Sequence, residues 1–537
     1  MSAAMTGGEL VVRSLAAHGV EHVFGIPGTH NLELYAHLDR HGVRHVSPRH
    51  EQGAGYAADG YARASGRPGV AVTTAGPALM NVAAAAGQAQ SESVPLLVVS
   101  PGMPRAHPAA SSGYLHEMPS QQRAMAGVVE HSVRVMSHAE LGRELADAFA
   151  AFRSARPRAR YVEVPLDLLA ETGEATVPVA PEVDRPAPPA SAVAAAAQLL
   201  ARAQRPAVIA GGGATGAAEE LAAVAGRLGA PVITTANGKG AIPDGHPLAV
   251  GAKLNFAAAR EWLEACDAVL AVGTELGESD VWGPPLQLTG LVRVDLDPAQ
   301  AHSNTTAEVA LIGDARAALA ALDEALTGAA TSAEVGSSAE DLVGRGARRA
   351  AEVRAALEPE VRKQAAPWLD WLPAIDGDAI VAGDSAMCCY YGALPALPRE
   401  RPRSFLYPAG FGTLGYAVPA AIGAALGCPD RRVLAVCGDG GIMFTLPELA
   451  AAAALGLALP VVVFVNDGYG EIRNEMVEAG NAPVGVDLPP PDLPAAARAL
   501  GCEGAHAPDP DALATAIEAA FARRVPTVIT VPEGPRA

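Results

Sequence analysis

Short, continuous apolar runs recur along the chain: HVFGIP, GVAVTTA, PLLVVS, RPAVIAGGG, DAVLAVGT, DAIVAGD, RRVLAVCGDGG, LPVVVFVND and PTVITVP. They are bounded by Gly, Asp or other turn formers, and Ala-rich stretches of helical length separate them. A run that is apolar at every position, not at alternate ones, reads as a strand covered on both faces. Strands that alternate with helices form βαβ units, whose parallel sheets are covered by helices on both sides. The pattern predicts an α/β fold of doubly wound parallel sheets.

With 537 residues and about 150 residues per domain, the chain has room for about three such sheets. Two shifts in composition divide it. Residues 174–191, EATVPVAPEVDRPAPPAS, are proline-rich with no amphipathic period, and read as a stiff, extended linker. Residues 327–366 begin as TGAATSAEVGSSAE and continue as an Ala/Arg-rich stretch, predicting a flexible connector followed by a charged helix. The expected domains are 1–175, 192–327 and 367–537.

Composition then narrows the function. Half of the residues are hydrophobic but only 4% are aromatic, so Ala, Val and Leu must fill the interior. The formal charge of −19 argues against nucleic acid, whose binding requires a basic footprint, and against polybasic attachment to anionic membranes. The six cysteines include no CxxC pair, which leaves zinc and dithiol sites without support. The N-terminal residues do not follow the pattern of an export signal. The longest apolar run, Ala450–Val465, is broken by Gly456 and Pro460 and is too short to span a bilayer. A cytoplasmic protein with no membrane partner is expected.

The most informative segment is RRVLAVCGDGGIMFTLPELAAAAALGLALPVVVFVNDGYGEIRNE. One strand runs into Gly438-Asp439-Gly440-Gly441 and a helix, and a second strand ends at Asn466-Asp467-Gly468. Both polar ends then emerge at the carboxyl edge of one parallel sheet, where open α/β sheets bind ligands. The glycines let a phosphate approach the backbone closely. Asp439 and Asn466, 27 residues apart, offer a carboxylate and an amide oxygen, a partial set suited to Mg²⁺. Taken alone, Gly-Asp-Gly is more often a tight strand-to-helix turn; the second oxygen-bearing strand end is what argues for a site.

This spacing resembles the fingerprint of thiamine-diphosphate enzymes. The resemblance implies that Asp439, Asn466 and the carbonyl of Gly468 hold Mg²⁺, with Asp467 in place of the usual second Asn. Near the N-terminus, HEQGAGYAADGYAR resembles the segment that carries the family's activating glutamate, here Glu51. Without the resemblance, Glu51 would simply complement a helix dipole. The family role implied is a hydrogen bond to a pyrimidine ring nitrogen, a general acid/base arrangement that generates the reactive ylide. Ser47 and Pro48 suit the start of that helix. TTAGPALMN, with Asn81, and FGTLGYAVPAAIGAALG, with Gly412 and Leu414, resemble further cofactor-gripping segments. Ser385 in GDSAM, together with Gly438, Gly440, Gly441, Tyr469 and Gly470, completes the implied cofactor-binding set.

The resemblance implies decarboxylation of a small 2-oxo acid through an enamine, in a homodimer or homotetramer whose active sites lie between subunits. An acetolactate synthase-like carboligase is the alternative. A flavin- or nicotinamide-dependent oxidoreductase, resting on the central GGGAT turn, is more remote. FAD is not expected, because AVGTELGESDVWG lacks the arginine of flavin-binding relatives. GYLHEMPSQ places His116 and Glu117, and NDGYGEIRNE places Glu471, Ile472 and Arg473, as candidates around the reacting centre. His116 and Glu471 are the further catalytic candidates; Glu475 and Arg473 are better explained by a solvated helix face. Together these segments look most like the 5-guanidino-2-oxopentanoate (2-ketoarginine) decarboxylase branch, in which Glu117 or Glu471 would meet the guanidinium.

Overall fold

The computed structural model describes residues 3–108, 111–330, 339–375 and 377–533. Three six-stranded sheets, parallel throughout, organise it. The first holds, edge to edge, Arg44–Val46, His22–Gly25, Gly69–Val72, Leu96–Gly102, Arg160–Pro165 and His131–Arg134. The second runs Ala249–Gly251, Val232–Thr234, Pro206–Ala210, Ala268–Val272, Leu291–Asp295 and Val309–Ile312. The third runs Phe405–Leu406, Ile380–Gly383, Val433–Gly438, Pro460–Val465, Thr527–Pro532 and Glu503–His506. Each sheet has an apolar core on both faces, built chiefly from Ala, Val and Leu, which is why its strands are apolar at every position.

A two-stranded antiparallel ribbon, Ala3–Thr6 with Thr172–Ala175, lies outside this parallel scheme. Its short strands are half-exposed and carry no long apolar run, so periodicity does not reveal it. It takes up Glu174 and Ala175, and Ala190 already begins the helix Ala190–Ala201, so the extended linker is shorter than its composition suggests. The helix Ala315–Ala330 likewise runs through residue 327, and residues 331–338 of the expected connector lie outside the described residues. The charged helix follows as Ala339–Ala365. Its buried stripe, Ala350, Val353, Leu357 and Val361, has helical spacing and lies on the central core.

The first and third domains are joined where the helices Glu51–Ser65 and Ala417–Gly427 cross. A Cβ at Gly60 would come within 2.2 Å of the Ala420 carbonyl oxygen, and one at Gly423 within 1.8 Å of that of Ala57. Only glycine permits backbones to meet this closely. Beside the crossing, Arg63, whose side chain is 9% exposed, joins all three domains. Its Nε lies 2.8 Å from Asp59 Oδ1, and its Nη1 donates to Asn237 Oδ1 (2.9 Å) and to the Tyr407 carbonyl (3.0 Å). Tyr416 donates to Asp59 Oδ1 at 2.5 Å, and Glu92 stands 3.5 Å from Arg63 Nη2.

Candidate active site

In the third sheet the chain leaves Ile380–Gly383 in one direction, to Phe405–Leu406, and returns on the other side as Val433–Gly438. The reversal opens a crevice at the carboxyl ends of these strands, where doubly wound folds hold ligands. Asp384 and Asp439 stand at its two sides, and Asn466 follows the neighbouring strand Pro460–Val465.

The backbone around Asn466 is shaped for this place. Asp467 adopts the left-handed region (φ 64°), which Asn and Asp tolerate best among residues with a side chain. Gly468 has φ 139°, and a Cβ there would come within 2.1 Å of the Val486 carbonyl oxygen. The turn brings Gly468 N–H to within 3.1 Å of Asp439 Oδ2, to which it donates. The Asn466 amide faces the Gly468 carbonyl oxygen at 3.0 Å and Asp439 Oδ1 at 3.2 Å. Either its nitrogen donates to both, or its oxygen joins them as a third acceptor, an arrangement that only a cation stabilises. Burial raises the Asp439 carboxyl above its ordinary pKa, against N–H groups of the surrounding turns that pull it down.

These oxygens open onto a cavity of about 610 Å³. Ser385, Gly412, Leu414, Gly438, Asp439, Gly440, Gly441, Asn466, Gly468, Tyr469, Gly470 and Glu471 all line it, as do Ile472 and Glu475. Its floor is tied down by Asp384, which accepts N–H bonds from Ser385 (2.8 Å), Gly415 (3.0 Å) and Ala417 (3.4 Å). Burial pushes this carboxyl up to about 6. The loop it holds turns through Gly412 (φ 63°) and Gly415 (φ 80°), presenting Leu414 to the cavity.

Glu51, Asn81 and His116 do not line this cavity within one chain. They gather at the carboxyl edge of the first sheet instead. Asn81 Nδ2 donates to Glu51 Oε2 at 2.9 Å, and the His116 ring packs edge-on against His30, with centroids 4.8 Å apart. Glu51 is the first residue of its helix. The cap is His50, whose Nδ1 accepts from Gln52 N–H, and not Ser47 or Pro48. A group absent from the motif aims this helix start: Glu448, 1% exposed, accepts N–H bonds from Arg49 (3.0 Å) and His50 (2.9 Å). A Cβ at Gly53 would come within 2.4 Å of the same carboxylate, which accounts for the glycine in HEQG.

Two of the loop candidates have local partners. Glu117 accepts N–H bonds from Ser112, Gly113 and Tyr114, closing its own loop. Arg473 donates to Asp487 at 2.7 Å and does not line the cavity. The central glycines are occupied as well. Gly211 and Gly213 donate their N–H groups to the carbonyls of Val272 and Gly273, and the backbones of Gly213 and Gly273 are in contact. Close packing engages two of the three glycine amides of this turn.

Sequence reasoning passed over one wall of the cavity. The central-domain residues Glu278, Ser279, Asp280 and Trp282 reach into it beside Tyr390 and Tyr391. Trp282 meets Tyr390 and Tyr391 edge-on, at centroid distances of 6.1 and 5.7 Å, and Tyr391 donates to the Glu471 carboxylate. Only the unusual CCYYG run and the aromatic in GESDVWG hinted at this wall.

Comparison with known proteins matches all three domains. Residues 5–125 match the N-terminal TPP binding domain of thiamine pyrophosphate enzymes, residues 193–322 their central domain and residues 386–531 their C-terminal TPP binding domain. The probable 2-ketoarginine decarboxylase AruI of Pseudomonas aeruginosa is 43% identical over 98% of this chain and 93% of its own length. The acetolactate synthase large subunit of Parasynechococcus marenigrum is 33% identical over 98% of this chain and 87% of its own. The acetolactate synthase of Mycobacterium bovis is 32% identical, with 93% and 83% covered.

Proposed function

The chain belongs to the thiamine pyrophosphate enzymes, and we propose that within this family it is a Mg²⁺-dependent, non-oxidative decarboxylase of a 2-oxo acid. The observation that carries the reading is the meeting of Asp439 Oδ1, the Asn466 amide and the Gly468 carbonyl at the switch point of the third sheet. Mg²⁺ takes oxygens at about 2.0–2.1 Å in an octahedron, so adjacent ligands lie about 2.9 Å apart. Spacings of 3.0 and 3.2 Å fit such a shell, with diphosphate oxygens and water to complete it. Gly438, Gly440 and Gly441 line the cavity without side chains and would hold a diphosphate through their backbone, with Ser385 and Gly470 flanking it.

When bound, thiamine diphosphate supplies the carbon nucleophile and the electron sink; binding, orientation and proton handling fall to the protein. Leu414 and Gly412 would shape the seat of the cofactor. Glu51 would hold and return a proton at a ring nitrogen, with Asn81 fixing the carboxylate by its hydrogen bond. His116 and Glu471 are the candidate proton donors at the reacting centre. Because Glu51 lies outside the cavity of its own chain, the complete site calls for a second copy. Large exposed apolar side chains beside both halves support this: Met80 next to Asn81, Phe411 next to Gly412, and Met443 and Phe444 just after the Asp439 turn.

The name of the 43% identical relative makes 5-guanidino-2-oxopentanoate the substrate to test first. The acetolactate synthases among the relatives keep a second reading open, a carboligase that joins two carbonyl compounds. The test is a panel of 2-oxo acids with thiamine diphosphate and Mg²⁺, following carbon dioxide and identifying products. An aldehyde marks the decarboxylase and an acetohydroxy acid the carboligase. Turnover of pyruvate or benzoylformate equal to or better than that of the guanidino acid would remove the substrate assignment. No carbon dioxide from any 2-oxo acid would remove the reaction.

A further inference from the structure

Six carboxylates line the cavity, Glu278, Asp280, Asp439, Glu471, Glu475 and Glu533, with no lysine, arginine or histidine among the described lining residues. The imbalance is chemically demanding. On the reading above, the cavity also takes an anionic diphosphate and the carboxylate of a 2-oxo acid, and one Mg²⁺ at Asp439 offsets only part of that charge. Carboxylates crowded in a partly desolvated space are stable beside a cation or when protonated. A flavin dinucleotide would set another diphosphate against them. A cation beside Glu278 and Asp280 would offset the negative charge on that side of the cavity.

The aromatic side chains at the same end say what kind. Trp282, Tyr390 and Tyr391 form an edge-to-face cluster, Tyr390 and Tyr391 with centroids 4.5 Å apart, and all three rings line the cavity. Ring faces attract cations, and a planar guanidinium stacks on them while its N–H fork meets a carboxylate. Trp282 is held in the left-handed region (φ 46°), costly for a bulky residue, with Nε1 donating to the Ser279 carbonyl at 3.1 Å. Asp280 has its carboxyl pushed up to about 7, by burial first and then by Glu92 and Glu275. A cation beside it would relieve that penalty.

The geometry points to the central-domain wall, with Glu278, Asp280 and Trp282 facing Tyr390 and Tyr391, as the subsite for the guanidinium tail of the substrate. The assignment rests on the decarboxylase reading for its substrate, but its charge preference can be measured without any reaction. The holoenzyme is titrated calorimetrically with 5-guanidinopentanoate and with 5-ureidopentanoate, which differ in charge while nearly sharing a shape and cannot be decarboxylated as 2-oxo acids. A charge-assisted contact predicts about 10–100-fold tighter binding of the guanidino acid. Asp280→Asn, which keeps an acceptor for the Ala236 N–H, should reduce that preference to about threefold or less; Glu278→Gln serves as the second variant. The same ratio is expected in kcat/KM for the two corresponding 2-oxo acids. Equal binding of the two acids overturns the subsite, and a preference untouched in both variants overturns its assignment to this wall. Selective binding without carbon dioxide release would remove the decarboxylase reading and leave the subsite standing.

Discussion

Replacing Glu448 by Gln tests how a buried carboxylate shapes this fold. In the native protein Oε1 accepts the N–H groups of Arg49 and His50, at 3.0 and 2.9 Å, and Oε2 lies 3.2 Å from the Arg49 nitrogen. Burial pushes the carboxyl from 4.5 up to about 7, the two N–H groups and the Arg49 charge acting against it and Glu51 adding to it. A carboxyl whose folded pKa lies above its unfolded value contributes stability that is complete below pH 4.5 and lost as the pH rises through 7. At about 1.4 kcal/mol per pH unit, the interval amounts to about 3 kcal/mol. Glutamine cannot titrate, and it turns an N–H₂ toward one backbone donor at a pH-independent cost of about 1–3 kcal/mol. The wild type should therefore exceed Glu448→Gln most at pH 5, and the gap should close by several degrees in apparent melting temperature by pH 8. Differential scanning calorimetry at one scan rate, across pH 5 to 8, reads this directly. Parallel curves would show that Glu448 does not titrate in the window, and a gap that widens with pH would refute the sign.

Other substitutions follow from the same geometry. Glu51→Gln should retain cofactor but lose about 10²–10⁴-fold in turnover; near-wild-type rates would take Glu51 out of its role. Asp439→Ala should bind thiamine diphosphate far more weakly in Mg²⁺ titrations of chelator-treated protein, and an unchanged affinity would contradict the metal assignment. Gly423→Val drives a side chain into the Ala57 carbonyl and should unlatch the two domains, seen as faster proteolysis; wild-type resistance would show that the crossing accommodates the side chain without opening. Arg63→Met leaves Asp59 and Glu92 buried without their cation, at a cost of about 3–5 kcal/mol. Unchanged thermal stability there would mean that the network contributes little.

The sequence was most informative where the backbone itself carries the information. The pattern Gly-Asp-Gly followed by Asn-Asp-Gly encodes two strand ends and their turns, and the left-handed Asp467 and Gly468 follow from local sterics. Side-chain partners were less legible. Arg473 and Glu117 were both candidates for the reacting centre, and each has a partner in its own loop. The helix cap passed over Ser47 for His50, because Glu448, 398 positions along the chain, holds the preceding amides.

The line between the two kinds of knowledge is one of range. Periodicity and turn chemistry act over a few residues, and by themselves they determined the parallel sheets, the strand ends and the oxygens those ends present. Tertiary packing decided what no local window contains. It brought Gly60 and Gly423 to a crossing that tolerates no side chain, and joined Asp59, Arg63, Asn237 and Tyr416 across three domains. It also turned Trp282 and Asp280 of the central domain into a wall of the third domain's cavity. Charge and ring faces act through space, so the chemistry of that wall exists only once the domains are packed together.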